Sequence, residues 1–186
     1  MMKSISNLLA PIRRVVTAND ASGQSYFLED GPSPAVKEVP ERPGYRVTNI
    51  WRTTQSPVIV RASDSITEHV GVLPPKNGNV LRIIDYPPEP KDPDEVKRLQ
   101  DATFAKLYPD AGHDLKTGDH PGMHITETVD YALVLAGEIT AIMETGETVL
   151  HAGDVLIQRG TNHAWANRSD YPARIAFILI DGKDEG

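Results

Sequence analysis

At 186 residues the chain is long enough to bury a full hydrophobic core, and with no cysteine it excludes a disulfide scaffold, a thiolate metal site and a cysteine nucleophile. The formal net charge of -7 argues against a nucleic-acid partner, which needs clustered Lys and Arg. No stretch approaches the ~20 apolar residues of a membrane span. Residues Met1 to Pro11 carry one Lys and a short apolar patch, a poor secretory signal. The expectation is therefore a cytoplasmic protein with no membrane partner.

In chain order, Ile12 to Thr17, Gln24 to Leu28 and Arg46 to Thr53 read as short strands, with Asp30-Gly31-Pro32-Ser33-Pro34 as a turn cluster. Prolines gather in the first half, which favours extended, loop-rich backbone there. Arg46 to Trp51 alternates polar with apolar, as a half-buried strand does. Asn79 to Tyr86 is a further strand, closed by Pro87-Pro88, and the stretch from Pro87 to Pro93 is a linker. One helix follows: Asp92 caps it, Pro93 occupies its first position, and Glu95 stands three residues after the cap. Val96, Leu99, Phe104 and Leu107 form its apolar stripe, and Pro109 ends it.

A Gly-, Asp- and His-rich segment, 110–122, leads into a second half of different texture. Met123 to Ala136 is β-like. Gly137, Gly146, Gly153 and Gly160 then punctuate the chain every eight residues or so. Between and after them lie Ile139 to Met143, Thr148 to Leu150, Val155 to Ile157 and Ala173 to Ile180. Short strands at even spacing with glycine turns predict an all-β sandwich or barrel.

Two segments carry the chemistry. On a strand from His124 to Asp130, the side chains of His124, Thr126, Thr128 and Asp130 share one face. A polar row of that kind, followed by apolar Tyr131 to Leu135, suits a cavity lining better than a plain core. The second segment, Gly153 to Asn167, turns at Gly160 and puts His163, Trp165 and Asn167 on one face.

Together these segments resemble the two signature motifs of the cupin superfamily. His124 stands at the first histidine position, Asp130 at the glutamate position, and Gly137 is the closing glycine of the first motif. The second motif runs from Gly153 through the Gly160 turn to His163 and Asn167. The resemblance covers roughly residues 120–181. Arg13 to Thr17, Asp30-Gly31-Pro32 and Trp51-Arg52-Thr53 also resemble segments that accompany this cupin type. Three positions depart from the pattern. Thr126 replaces the second histidine, Asp130 is one methylene shorter than glutamate, and Gln158-Arg159 stand where proline is usual.

The resemblance implies an all-β double-stranded β-helix, a jelly-roll barrel, forming one domain over 1–186. Residues 1–90 would be a strand-rich N-terminal extension that adds to the sheets or crosses to a neighbour. Residues 110–182 would be the barrel core, with one external helix. It also implies a homodimer and a metal site of His124, Asp130 and His163, with His120 as a further candidate ligand. Two histidines and a carboxylate suit Zn, Fe, Mn, Ni or Co and leave positions open for water and substrate. The competing expectation is a hydrogen-bonded, metal-free pocket.

Thr126, Thr128, Trp165 and Arg159 are the candidate substrate contacts. Tyr131, on the face opposite Asp130, reads as core, Asn167 as a backbone hydrogen-bonder, and His69, His113 and His151 as surface residues. The function implied is a metal-dependent enzyme acting on a small oxygenated organic molecule, of lyase, decarboxylase, dehydratase, isomerase or dioxygenase type. The alternatives are a non-catalytic small-molecule-binding or accessory cupin, and a metal-free enzyme resembling sugar-epimerase cupins, with His124 or His163 as base.

Overall fold

The computed structural model describes residues 9–113 and 115–183. Most of the segment Met1 to Pro11 and the last residues of the polar tail therefore lie outside the described residues. Among the described residues, eleven strands and one α-helix follow in order, with one 3-10 turn at Ile66–Glu68. They are β1 (Arg13–Asn19), β2 (Ser25–Pro32), β3 (Ala35–Glu38), β4 (Arg46–Thr53), β5 (Asn79–Tyr86) and α1 (Pro93–Leu107). The second half supplies β6 (Thr128–Ala136), β7 (Glu138–Met143), β8 (Gly146–His151), β9 (Val155–Arg159), β10 (His163–Ala166) and β11 (Ala173–Asp181).

A six-stranded sheet of order β3-β4-β5-β11-β6-β9 faces a three-stranded sheet of order β10-β7-β8. This is the cupin jelly roll. Period-two alternation turns Val80, Arg82, Ile84 and Tyr86 of β5 inward, beside Ile175, Phe177 and Leu179 of β11 and Asp130, Ala132 and Val134 of β6. Ile139, Ala141 and Trp165 of the small sheet close the core from the other side. Strands β3 to β5 thus build the large sheet, as expected of the N-terminal half. Strands β1 and β2 instead form a separate hairpin, with Phe27 74% exposed.

The N-terminal segments that resemble this cupin type serve as a staple. Arg14 is buried, pairs with Glu29 and Asp64, donates to the Ile50 carbonyl, and lies 5.8 Å from the Trp51 ring. Arg13 grips Asp30 with two bonds of 2.6 and 2.7 Å.

Helix α1 starts as the sequence predicts, with the Asp92 carboxylate accepting from the Asp94 amide at 3.1 Å. Its buried residues, Val96, Leu99, Gln100, Thr103, Phe104 and Leu107, follow helical spacing and make one face. The helix lies outside the strands, yet that face closes the barrel interior. No helix among the described residues is long and apolar enough to cross a membrane.

Three expectations change. Strand β2 continues through Pro32, so the turn shrinks to Ser33-Pro34, and β3 follows at once. Proline is tolerated there because β2 is an edge strand whose missing N–H leaves no ladder partner unmet. Met123 to Glu127 is not part of β6. Here His124 bridges to His163 and Ile125 to Gly112, so this segment crosses from one sheet toward the other. Tyr131 is 40% exposed, because the large sheet shows its outer face to solvent at that point.

The motif glycine Gly137 has φ +71, and a Cβ there would stand 2.8 Å from the Pro172 carbonyl oxygen. Gly137→Ala is expected to destabilise the fold by roughly 2–4 kcal/mol, from left-handed strain plus a clash with backbone that cannot swing away. Urea unfolding midpoints at unchanged slope would check this.

Candidate functional site

The crossing segment delivers the first histidine. His124 and His163 exchange backbone hydrogen bonds of 2.9 and 3.0 Å, which sets their rings side by side with centroids 4.3 Å apart. Each Nδ1 lies 2.9 Å from a carbonyl two residues back, Gly122 for His124 and Thr161 for His163. A carbonyl only accepts, so Nδ1 carries the proton and Nε2 keeps a free lone pair. Burial pushes the His163 imidazole down to about 3, helped by the neighbouring His124. Burial likewise lowers His124. Both rings are therefore neutral donors of lone pairs at neutral pH. Phe104 of α1 packs on His124 at 5.3 Å, and Trp165 on His163 at 5.9 Å.

Asp130 enters the same cavity from β6. It is 4% exposed, and burial raises its carboxyl to about 6 against the opposing pull of Thr128 and the Arg82 charge. Its Oδ1 has no hydrogen-bond partner. Such an orphan is costly in a finished core and marks a place where a ligand, ion or water is accommodated.

The cavity measures about 60 Å³, room for a few waters or a small organic molecule. Two histidines with free Nε2 and a buried carboxyl with a free oxygen are the donor types a divalent ion takes. Among the described residues, however, no three such side chains meet in one cage. The histidines form a pair at the small sheet, while Asp130 approaches on a short aspartate arm from the large sheet.

The remaining candidates divide. Trp165 lines the cavity. Thr126, Thr128 and Arg159 do not; they border a separate outer pocket beside Gly160 and Gly182. The two threonine hydroxyls bond to each other at 2.9 Å, so they sit behind Asp130 rather than on a substrate in the cavity. His120 is not in the cavity lining. Its Nε2 donates to Glu89 at 3.1 Å and its Nδ1 accepts from the Gly122 amide, which leaves no lone pair for a metal. Asn167 holds the Tyr86 and Tyr171 carbonyls, as expected.

His69 overturns its reading as a surface residue. It is 3% exposed, and its Nε2 accepts from Arg82 Nη2 at 2.6 Å. His113 is half-buried and stacks on Phe104 at 4.0 Å, whereas His151 is exposed. Sequence reasoning also passed over Arg42, Arg82, Tyr45 and Tyr108, all of which line the cavity. For Arg82 a signal existed: one charged residue sits on the apolar face of the run Val80 to Ile84.

A cupin domain model matches residues 113–180. The chain is 33% identical over 180 residues to phomopsin biosynthesis cluster protein D of Diaporthe leptostromiformis, covering 91% of this chain and 78% of that one. It is 25% identical over 184 residues to the cupin-domain-containing oxidoreductase fogC of Aspergillus ruber, covering 95% and 75%. A solved cupin 2 conserved barrel domain protein from Salinispora arenicola aligns at 11% identity and a TM-score of 0.39, over 77% of this chain and 82% of that one. The chain belongs to the cupin superfamily.

Proposed function

We propose that this cupin is an enzyme acting on a small oxygenated organic molecule, with a divalent metal held by His124 and His163 and with Asp130 beside them as an acid–base group. The observation that carries this reading is the neutral histidine pair, each ring anchored through Nδ1 and each Nε2 left free. Metal-ligating histidines are oriented in just this way by the atoms behind them. Zn, Fe, Mn, Ni or Co would supply polarisation of a carbonyl or enolate oxygen, and iron would also open oxygen chemistry.

The chain's own side chains contribute the rest. Asp130, with a carboxyl near neutrality, holds or gives up a proton at Oδ1. Phe104 and Trp165 wall the histidines from bulk water. These roles suit decarboxylation, dehydration or isomerisation. The description of relatives such as fogC as oxidoreductases favours an enzyme over an accessory binding protein. The lack of a three-residue cage among the described residues supports a second reading, metal-free acid–base catalysis by Asp130 and a histidine.

The test is the metal content of tag-free protein beside His124→Ala and His163→Ala. Near-stoichiometric metal is expected in the parent, with each variant losing more than about 100-fold in affinity, beyond what loss of a merely supporting group costs. A parent that takes up no divalent ion on reconstitution overturns the metal reading. Activity that survives chelation selects the second.

A further inference from the structure

Buried and half-buried arginines elsewhere in this molecule meet carboxylates. Arg14 has Glu29 and Asp64, while Arg46 and Arg174 share Asp85 at 2.6 Å each. Arg42 and Arg82 break that habit. They are 5% and 1% exposed, both line the cavity, and among the described residues neither has a carboxylate within ion-pair distance.

The partners they do have are neutral. Arg82 spends only Nη2, on the His69 imidazole and the Gly71 and Val72 carbonyls, and its buried Nε has no partner. Its cross-strand neighbour Asn49 likewise keeps a buried Oδ1 without a partner. Arg42 has one side-chain bond, to Gln100 at 3.2 Å, and stacks 4.4 Å over the Tyr45 ring. Asp130 lines the same cavity and feels the Arg82 charge without forming an ion pair with it, so two buried cations share at most one distant carboxylate, and a buried cation so poorly compensated calls for a further anion.

The donors for it are in place. Tyr45 bonds Tyr108 hydroxyl to hydroxyl at 2.8 Å and also bonds Tyr86, so three O–H groups make two bonds and one is left at an end of the chain to donate. Burial holds all three hydroxyls protonated. The other walls are apolar, Ile84, Phe177 and Leu179 among them.

We propose that Arg82 and Arg42 form an anion subsite that takes the carboxylate of a small organic acid, with the Tyr86–Tyr45–Tyr108 chain donating to it and the rest of the molecule turned toward His124 and His163. This names the substrate class for the enzyme proposed above and rests on that reading for the chemistry, though not for the binding. The volume of about 60 Å³ limits the ligand to a small acid. Arginine suits this role because its charge is permanent and its donors are fixed in a plane.

The experiment is calorimetry and thermal shift on full-length, chelator-treated protein. Acetate and malonate are titrated against chloride at matched ionic strength, with inorganic phosphate and methyl acetate as comparison ligands. Malonate or acetate should bind and raise the melting temperature, while methyl acetate should not. Arg82→Gln and Arg42→Gln should each weaken binding at least tenfold. His163→Ala should still bind the acid while losing metal, which separates failure of this site from failure of the metal site. If Arg82→Gln does not fold, Arg42→Gln and Arg82→Lys decide. Unchanged affinity in those variants, no binding of either carboxylate, or equal binding of phosphate overturns the assignment.

Discussion

In metal-stripped protein, Asp130→Asn is expected to be more stable than the parent at pH 8 by about 3 kcal/mol, and to match it near pH 4. The carboxyl is raised to about 6 in the fold from 3.8. Between those values the folded chain holds a proton that the unfolded chain releases. Stability therefore falls as pH rises through that window and stays lost above it. Asparagine never ionises, so it escapes the penalty. For a chain of this length the gain corresponds to roughly 6–12 °C in melting temperature. Turnover should move the other way, down about 10²- to 10⁴-fold, as when an acid–base group is removed. A variant that gains nothing at pH 8 would mean the ionised carboxylate is already compensated, with Arg82 as the neighbour responsible, and Asp130 would lose its case as a proton carrier. A gain in stability paired with a loss of activity identifies a group kept for function at the expense of the fold.

Much of this architecture is legible in the residues themselves. The alternation of Arg46 to Thr53 and the proline stop after Tyr86 mark β4 and β5 at the ends the structure gives them. The Asp92-Pro93 start places α1 for the same reason, since capping is a local event. His163 reaches the cavity because the Gly160 turn operates over a few residues.

What escapes is whatever depends on a distant partner. Strand β3 exists because Ala35 to Glu38 pairs with Arg46 to Asn49, and its four residues carry too little pattern to declare themselves. His124 reaches His163 only because the chain leaves β6's sheet before Thr128, which no local spacing records. That same departure takes Thr126 out of the expected row, while Thr128 keeps Asp130's face of β6, and both threonines border the outer pocket. His69 looks like loop surface until Arg82, thirteen residues on, is folded against it. The anion-binding wall is likewise assembled from β5, the turn before Tyr45 and the end of α1, three segments with no shared motif.

Acid should expose a contest inside the cavity. His163 is lowered to about 3 in the fold from 6.5, so over that range the unfolded chain binds the extra proton. Stability is then full above 6.5 and lost as pH falls through the window, up to about 5 kcal/mol from His163 alone. Asp130 works in the opposite sense between about 6 and 3.8, where its protonation relieves the fold. In the metal-stripped parent the two partly cancel near pH 5, and the acid limb is shallow there. Asp130→Asn removes the relief, so its stability should fall more steeply on acidification. His163→Gln removes the loss, and its stability relative to the parent should climb as pH drops from 6.5 toward 4. Surface carboxylates held down by cations, such as Asp30 with Arg13, destabilise every variant alike in acid, so differences between curves carry the information. Urea unfolding at half-unit pH steps reads those differences directly. Parallel curves for all three proteins would mean that His163 and Asp130 titrate alike in the folded and unfolded states, and the case for burial holding the His163 imidazole neutral in acid would be gone.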